Sequence, residues 1–165
     1  GRELATSLGL SPDVVDTAKR VLATAEARGV RLVLPADSVC AETLEAGAAT
    51  AVHPSGAIPD GWMGLDIGPE AVAEFTASLQ GARTVFWNGP LGVFETPPFD
   101  AGTTAIAKVV AGLDAYTVVG GGDSIAALNA TGLQERIDHV STGGGASLEF
   151  VEGAELPGVA ALGAD

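Results

Sequence analysis

Three short apolar runs in this chain each stop at a glycine-rich turn before helix-like sequence resumes. "RTVFW" (83–87) runs into Asn88-Gly89-Pro90, "YTVVG" (116–120) into Gly120-Gly121-Gly122, and "HVS" (139–141) into Thr142-Gly143-Gly144-Gly145. No other feature constrains the fold as strongly. Strands that alternate with helices pair in parallel, because each crossover returns the chain to the same end of the sheet. Ligands of such sheets gather beyond the carboxyl ends of the strands, where these turns fall. Glycine makes up 23 of 165 residues, about twice the usual ~7%, and the excess is largest at the turns.

The rest of the chain keeps the alternation. Ser11-Pro12-Asp13 reads as a helix start: a capping hydroxyl, a proline in the first turn, an acid at the positive dipole end. Val14, Val15, Ala18, Val21, Leu22 and Ala25 follow at helical spacing, and Gly29 closes the segment. "RLVLPA" (31–36) is a short apolar run bounded by Pro35 and is expected as a buried strand. Residues 48–67 are broken by Pro-Ser-Gly and Pro-Asp-Gly, which predicts a small irregular β arm. Pro69-Glu70 starts a helix with Val72, Phe75 and Leu79 on one face, stopped by Gly81. Asp100 is expected to cap a third helix carrying Ile106, Val109 and Val110, ended by Gly112. Further helices are expected over 123–131 and 144–152. The fold class is α/β, a doubly wound parallel sheet with a small irregular β arm.

A chain of 165 residues, 47% of them hydrophobic, can bury a real core in one domain. No apolar stretch approaches the roughly 20 residues of a membrane span, and no secretory signal stands at the start. Gly1 is not a methionine, so the chain is expected to be processed, tagged or cut from something longer. The single cysteine, Cys40, has no partner for a disulfide and fits a reducing cytoplasm as a packing residue. The net charge of −13, from 8 basic and 21 acidic groups, excludes a grip on a nucleic-acid backbone. Both lysines, Lys19 and Lys108, fall inside predicted helices. A phosphorylated ligand would therefore be held by backbone N–H groups and a metal, or by cations on another chain segment.

Each turn carries a chemical rationale beside a plainer one. Gly120, Gly121 and Gly122 let a ligand approach the backbone, and the helix that follows offers unpaired N–H groups to an anion. Asp123 either caps that helix, for about 1 kcal/mol, or faces phosphate through Mg²⁺; spacing leaves both open. Thr142 and Gly143 to Gly145 repeat the device, and two such nests on one edge suit a polyanion lying across both. Ser124 and Thr142 add hydroxyls that could equally cap their own helices. In "WNGPLGVFE" (87–95), Leu91, Val93 and Phe94 could wall a flat base and Glu95 could accept ribose hydroxyls. Composition alone favours ordinary packing for the apolar residues and a solvated loop acid for Glu95.

Two other readings of "VVGGGDSIA" fail on single residues. A dinucleotide fingerprint starting at Gly120 puts Ile125 where close helix–strand packing wants a small residue, and a flavoprotein disulfide reductase would need a second cysteine. A serine hydrolase would need a histidine base for Ser124, and neither His53 nor His139 is suitably placed. A nucleotide-binding or assembly fragment without chemistry of its own stays open, because no lysine lies near a glycine-rich turn.

Taken together, "FWNGPLGVFE" (86–95), "VVGGGDSIAAL" (118–128) and "STGGGASLEFVEGAELPGV" (141–159) closely resemble phosphoglycerate kinase, in order and spacing. "LVLPAD" (32–37) and "GLDIGPE" (64–70) resemble it too, so the likeness covers nearly the whole chain. The resemblance implies a Rossmann-like three-layer fold and Mg²⁺-dependent phosphoryl transfer between 1,3-bisphosphoglycerate and ADP in glycolysis. It implies that residues 1–165 are most of the C-terminal, nucleotide-binding domain, without the N-terminal domain that binds 3-phosphoglycerate. Carried over, Gly68, Gly92 and Val93 resemble the adenine pocket, and Asn88 and Pro90 lie near ribose and phosphates. Glu95 resembles the ribose-binding acid. Gly121, Gly122, Asp123 and Ser124 resemble the phosphate site, with Asp123 as the metal contact. Thr142, Gly143, Gly144 and Gly145 resemble the turn that meets the transferring phosphoryl. The family's phosphate-binding lysines and catalytic arginine have no counterpart here, while "LPGVAALGAD" (156–165) resembles the family's C-terminus. The isolated chain is expected to be inactive and to self-associate through an exposed sheet edge.

Overall fold

The computed structural model describes residues 13–163, so the capping residues Ser11 and Pro12 lie outside it. The chain divides into two units, residues 1–34 and 35–165. In the first, helix α1 (Asp13–Ala27) spans the residues expected of it. Gly29, at φ +64°, closes it, and Val30 N donates to the Ala25 carbonyl at 2.8 Å. Its apolar positions Val14, Val21 and Leu22 are exposed. Residues 31–36, expected as a buried strand, form none: Leu32 and Leu34 are exposed, and the segment belongs to neither sheet of the described residues. β-Propensity alone makes no strand; a neighbour must take its backbone bonds.

The second unit carries two sheets. In the first, β1 (Asp37–Ala41) lies between β2 (Ala51–Pro54) and β3 (Met63–Ile67), antiparallel to both. The expected β arm is present as a small antiparallel sheet, with its irregularity in β1, where the register against β3 shifts between Val39 and Cys40. Cys40 is fully buried in β1, and burial pushes its thiol pKa up, as suits a packing residue.

The second sheet is parallel, in the order β4 (Thr84–Asn88), β5 (Tyr116–Gly120), β6 (His139–Ser141). It has three strands among the described residues, one fewer than expected, for want of 31–36. Its side chains alternate in burial: Val85, Trp87, Thr117 and Val119 are buried, while Thr84, Phe86, Tyr116 and Val118 line the other face. Helices α2 (Pro69–Leu79), α3 (Ala101–Val110) and α4 (Gly122–Thr131) close over the first face. There Ala71, Ile106, Val110 and Leu128 pack with Val85, Trp87 and Val119 in one core. Helix α5 (Gly144–Val151) borders the second face, where Phe150 and Val151 join Phe86 and Val118 around an apolar cleft of about 510 Å³. A short α6 (Pro157–Ala161) follows. Across the β5–β6 connection, Thr117 N and Oγ1 both donate to the Asp138 carboxylate at 2.8 Å and hold its pKa below the usual range.

Two buried carboxylates cap helices from a distance. Asp37, opening β1, accepts from Glu70 N and Ala71 N (3.1 and 2.8 Å) in the first turn of α2. Asp66, on β3, accepts from Gly102 N (2.7 Å) in the first turn of α3. Asp100, the expected cap of α3, occupies the cap position but makes no side-chain cap bond. Its backbone (φ −98°, ψ −9°) is already helical, whereas a capping side chain reaches the helix N–H groups from extended backbone.

Candidate functional site

β4, β5 and β6 end level with one another: Asn88 pairs with Gly120, and Gly120 with Ser141. This register brings the three glycine-rich turns to a single edge, where they interlock. The Ser124 hydroxyl is 1% exposed and accepts a 2.6 Å hydrogen bond from Gly89 N, tying the first turn to the second. The Asn88 side chain lies against Gly121, whose N–H donates to the Ser141 carbonyl at 3.2 Å. Gly121 caps α4 at φ +93°, a conformation that favours glycine. Gly144, at the start of α5, packs so closely on Gly121 that a Cβ there would lie 2.6 Å from the Gly121 Cα. The Ser141 and Ser147 hydroxyls bond at 2.8 Å, and Ser147 Oγ donates to the Gly143 carbonyl at 3.0 Å, which steadies the third turn.

Asp123 sits in the first turn of α4, exposed, one residue inside the helix start. Gly121 holds the cap position and no side-chain cap bond is made. The capping role that spacing allowed for Asp123 is therefore not the one its side chain plays. Thr142, Gly143 and Gly145 are exposed beside it along the same edge. Ser124 contributes its buried oxygen to Gly89 rather than to a histidine, which removes the hydrolase alternative.

The Leu91–Glu95 loop leaves the same edge. Pro90 is half-buried and stiffens its start. Val93 N donates to the Leu65 carbonyl at 2.9 Å, and the Val93 side chain packs on Ala41, Leu65 and Phe99. Glu95 is exposed at the far end. Gly68 is buried and joins the other predicted residues through no hydrogen bond. It caps α2, and a Cβ there would fall 2.2 Å from the Asp37 carboxyl carbon. Gly92 is closed in the same way by Asp66, 2.3 Å from a Cβ position.

Sequence reasoning missed Asp37, Asp66 and Thr103. Asp66 carried a readable signal: an acid flanked by Leu65 and Ile67 in an apolar run is expected to be buried and bonded. Burial pushes its pKa up, against the lowering by bonds from Gly102 N and Ile67 N, with Asp100 adding a smaller rise. Arg83, Lys108 and Arg136 all lie away from the glycine-rich turns. They line two clefts of about 470 and 480 Å³ near the amino ends of the strands.

Glycine-rich turns that present helix starts at the carboxyl ends of parallel strands define a Rossmann-like α/β unit built to meet anions. A family model described as phosphoglycerate kinase matches residues 1–154, and the chain belongs to that family. It is 58% identical to a phosphoglycerate kinase of Thermus thermophilus over 98% of this chain and 42% of that protein. It is 54% identical to that of Deinococcus radiodurans, over 98% and 39%. The chain thus spans about 40% of the length of these curated relatives. The structure of phosphoglycerate kinase from Coxiella burnetii superposes with a TM-score of 0.83 and 39% identity, covering 88% of this chain and 38% of that one. The enzyme from Pyrococcus horikoshii gives 0.75 and 30%, covering 97% and 38%.

Proposed function

We propose that this chain forms the nucleotide- and Mg²⁺-binding half of a phosphoglycerate kinase and is most of that enzyme's C-terminal domain. The reaction moves a phosphoryl group between 1,3-bisphosphoglycerate and ADP, giving 3-phosphoglycerate and ATP. The phosphoglycerate is held by a domain outside this chain, in a cytoplasmic enzyme. One observation carries the reading. At Gly122, Gly143 and Gly145 the backbone is not left-handed, and a Cβ would meet nothing closer than 3.7 Å. Gly122 and Gly145 stand in the first turns of α4 and α5, where glycine costs about 1 kcal/mol relative to alanine, so the chain itself gains nothing from bare backbone there. Three such positions along one edge fit a polyanion laid directly on N–H groups.

In this reading the Gly143–Gly145 N–H groups and the Thr142 hydroxyl face the transferring phosphoryl, and the turn shaped by Gly121 and Ser124 receives the nucleotide phosphates at Gly122. Asn88 and Pro90 border ribose and phosphates, Gly68, Gly92 and Val93 the adenine, and Glu95 accepts from the ribose. Asp123 holds Mg²⁺ together with phosphate oxygens, since the described residues contain no cluster of three ligating side chains. The ion neutralises phosphate charge that a bare carboxylate would repel. Phosphoryl transfer needs positioning and charge stabilisation above all.

The distribution of cations favours a second reading for the chain taken alone, a nucleotide-binding unit without turnover. Arg83, Lys108 and Arg136, the cations of residues 35–165, lie away from the turns, so that unit gives the transferring phosphoryl no cationic partner. The purified 165-residue chain is expected to bind ADP with Mg²⁺ in calorimetry and to form no ATP from 1,3-bisphosphoglycerate. ATP formation above a contaminant-free blank would refute the division of labour, and no ADP binding would refute the nucleotide site.

We also propose that the chain alone self-associates through β4. That strand bonds β5 on one side and no described strand on the other, beside the apolar cleft at Phe86 and Val118. Sedimentation is expected to give dimers or larger species; a monodisperse monomer would overturn this.

A further inference from the structure

We propose that Asp66 and Thr103 are positioning residues for the Leu91–Val93 loop. This rests on the reading of that loop as the wall of the nucleotide pocket. The loop has no regular secondary structure, yet three anchors fix three consecutive residues. Leu91 N donates to Thr103 Oγ1 at 3.0 Å. Gly92 lies over the Asp66 carboxylate, so close that a Cβ would also fall 2.5 Å from the Phe99 carbonyl oxygen. Val93 N donates to the Leu65 carbonyl at 2.9 Å. The side chains diverge: Leu91 packs on the main core, and Val93 on the separate cluster of Ala41, Leu65 and Phe99.

Two of these anchors trace back to one carboxylate. Asp66 is 5% exposed and accepts from Ile67 N at 2.8 Å and Gly102 N at 2.7 Å. The bond to Gly102 fixes the first turn of α3, and the next residue in that turn is Thr103, 1% exposed, with its hydroxyl turned to Leu91. Asp100 stands at the cap position but makes no cap bond, so Asp66 bonds the helix N–H at Gly102 in its place, at the cost of desolvating a buried acid. A carboxylate brought from β3 does what a local cap does not: it sets the helix start against the strand that also carries the Val93 anchor. Loop, helix start and β3 then hold one spacing.

The test uses a full-length phosphoglycerate kinase that carries these 165 residues in their matched place. Thr103→Val keeps the shape and removes the acceptor. Losing one hydrogen bond that holds the loop is expected to raise KM for ADP about five- to tenfold with kcat within about twofold, the pattern of lost uniform binding. Thr103→Ser restores the hydroxyl and should return KM to the wild-type value. Asp66→Asn should raise KM for ADP further, without changing KM for the phosphoglycerate. Glu95→Gln, outside the anchors, reports on the pocket reading itself. If Glu95→Gln raises KM for ADP and Thr103→Val only lowers the melting temperature, the positioning role falls and the pocket stands. If neither changes KM for ADP, both fall.

Discussion

Asp123→Ala in the intact enzyme is expected to lower Mg²⁺-dependent phosphoryl transfer on the order of 10²-fold or more, with little change in stability. The small stability effect follows from what Asp123 does in the fold. It is exposed and supplies no cap bond, so its structural contribution is an acid near a helix start, about 0.3–1 kcal/mol. The large kinetic effect follows from its solitude. With no cluster of ligating side chains among the described residues, no neighbour replaces it as a metal contact. Titration of ADP sharpens the test by its sign. Without Mg²⁺ the alanine variant should bind ADP at least as well as the wild type, because a carboxylate no longer repels the phosphates. With Mg²⁺ it should bind less well. Equal activity of the two proteins would leave Asp123 only its dipole contribution and would remove it from the metal site.

Gly144→Ala and Gly145→Ala, one position apart, are expected to give opposite results. At Gly144 a Cβ would lie 2.6 Å from the Cα and 2.8 Å from the N of Gly121. Both are backbone atoms that no rotamer change can move, so the variant must force the second and third turns apart. Overpacking of this kind costs roughly 1–3 kcal/mol, and here it also spoils the spacing of the two turns that the proposed function lays against phosphate. Both the melting temperature and ADP affinity should fall. At Gly145 a Cβ would meet nothing within 4 Å, and alanine in the first turn of α5 relieves the entropic penalty of glycine. Its stability should hold or rise by about 0.4–1 kcal/mol, while kcat falls because a methyl group stands where phosphate is to approach. Calorimetric melting and steady-state rates on both variants decide the matter. A Gly145→Ala enzyme with unimpaired kcat would show that this bare backbone serves no ligand.

Much of the architecture was readable because it rests on local chemistry. Gly29, Gly81 and Gly132 end helices at φ values of +64°, +76° and +69°, as their places after periodic runs implied. The strands at 84–88, 116–120 and 139–141 and the helices after them follow from period and punctuation. Residues 31–36 misled for the complementary reason: they have the composition of a strand, but pairing is a property of the neighbour. Asp100 misled because capping depends on backbone angle as well as residue type. That Asp123 and Thr142 would stand just beyond the ends of β5 and β6 was legible from the motifs around them.

Sequence alone determined the alternation of parallel strands and helices, the placing of three glycine-rich turns at one edge and the kinship those turns carry. All of these depend on residues near one another in the chain. Tertiary structure alone decided which glycine serves the fold and which is left bare. Gly121 and Gly144 are glycine because they touch each other, Gly92 because Asp66 lies beneath it, and Gly122 and Gly145 for no reason within the chain. That sorting depends on contacts between segments far apart in the chain, and steric exclusion at such range leaves no trace in local periodicity.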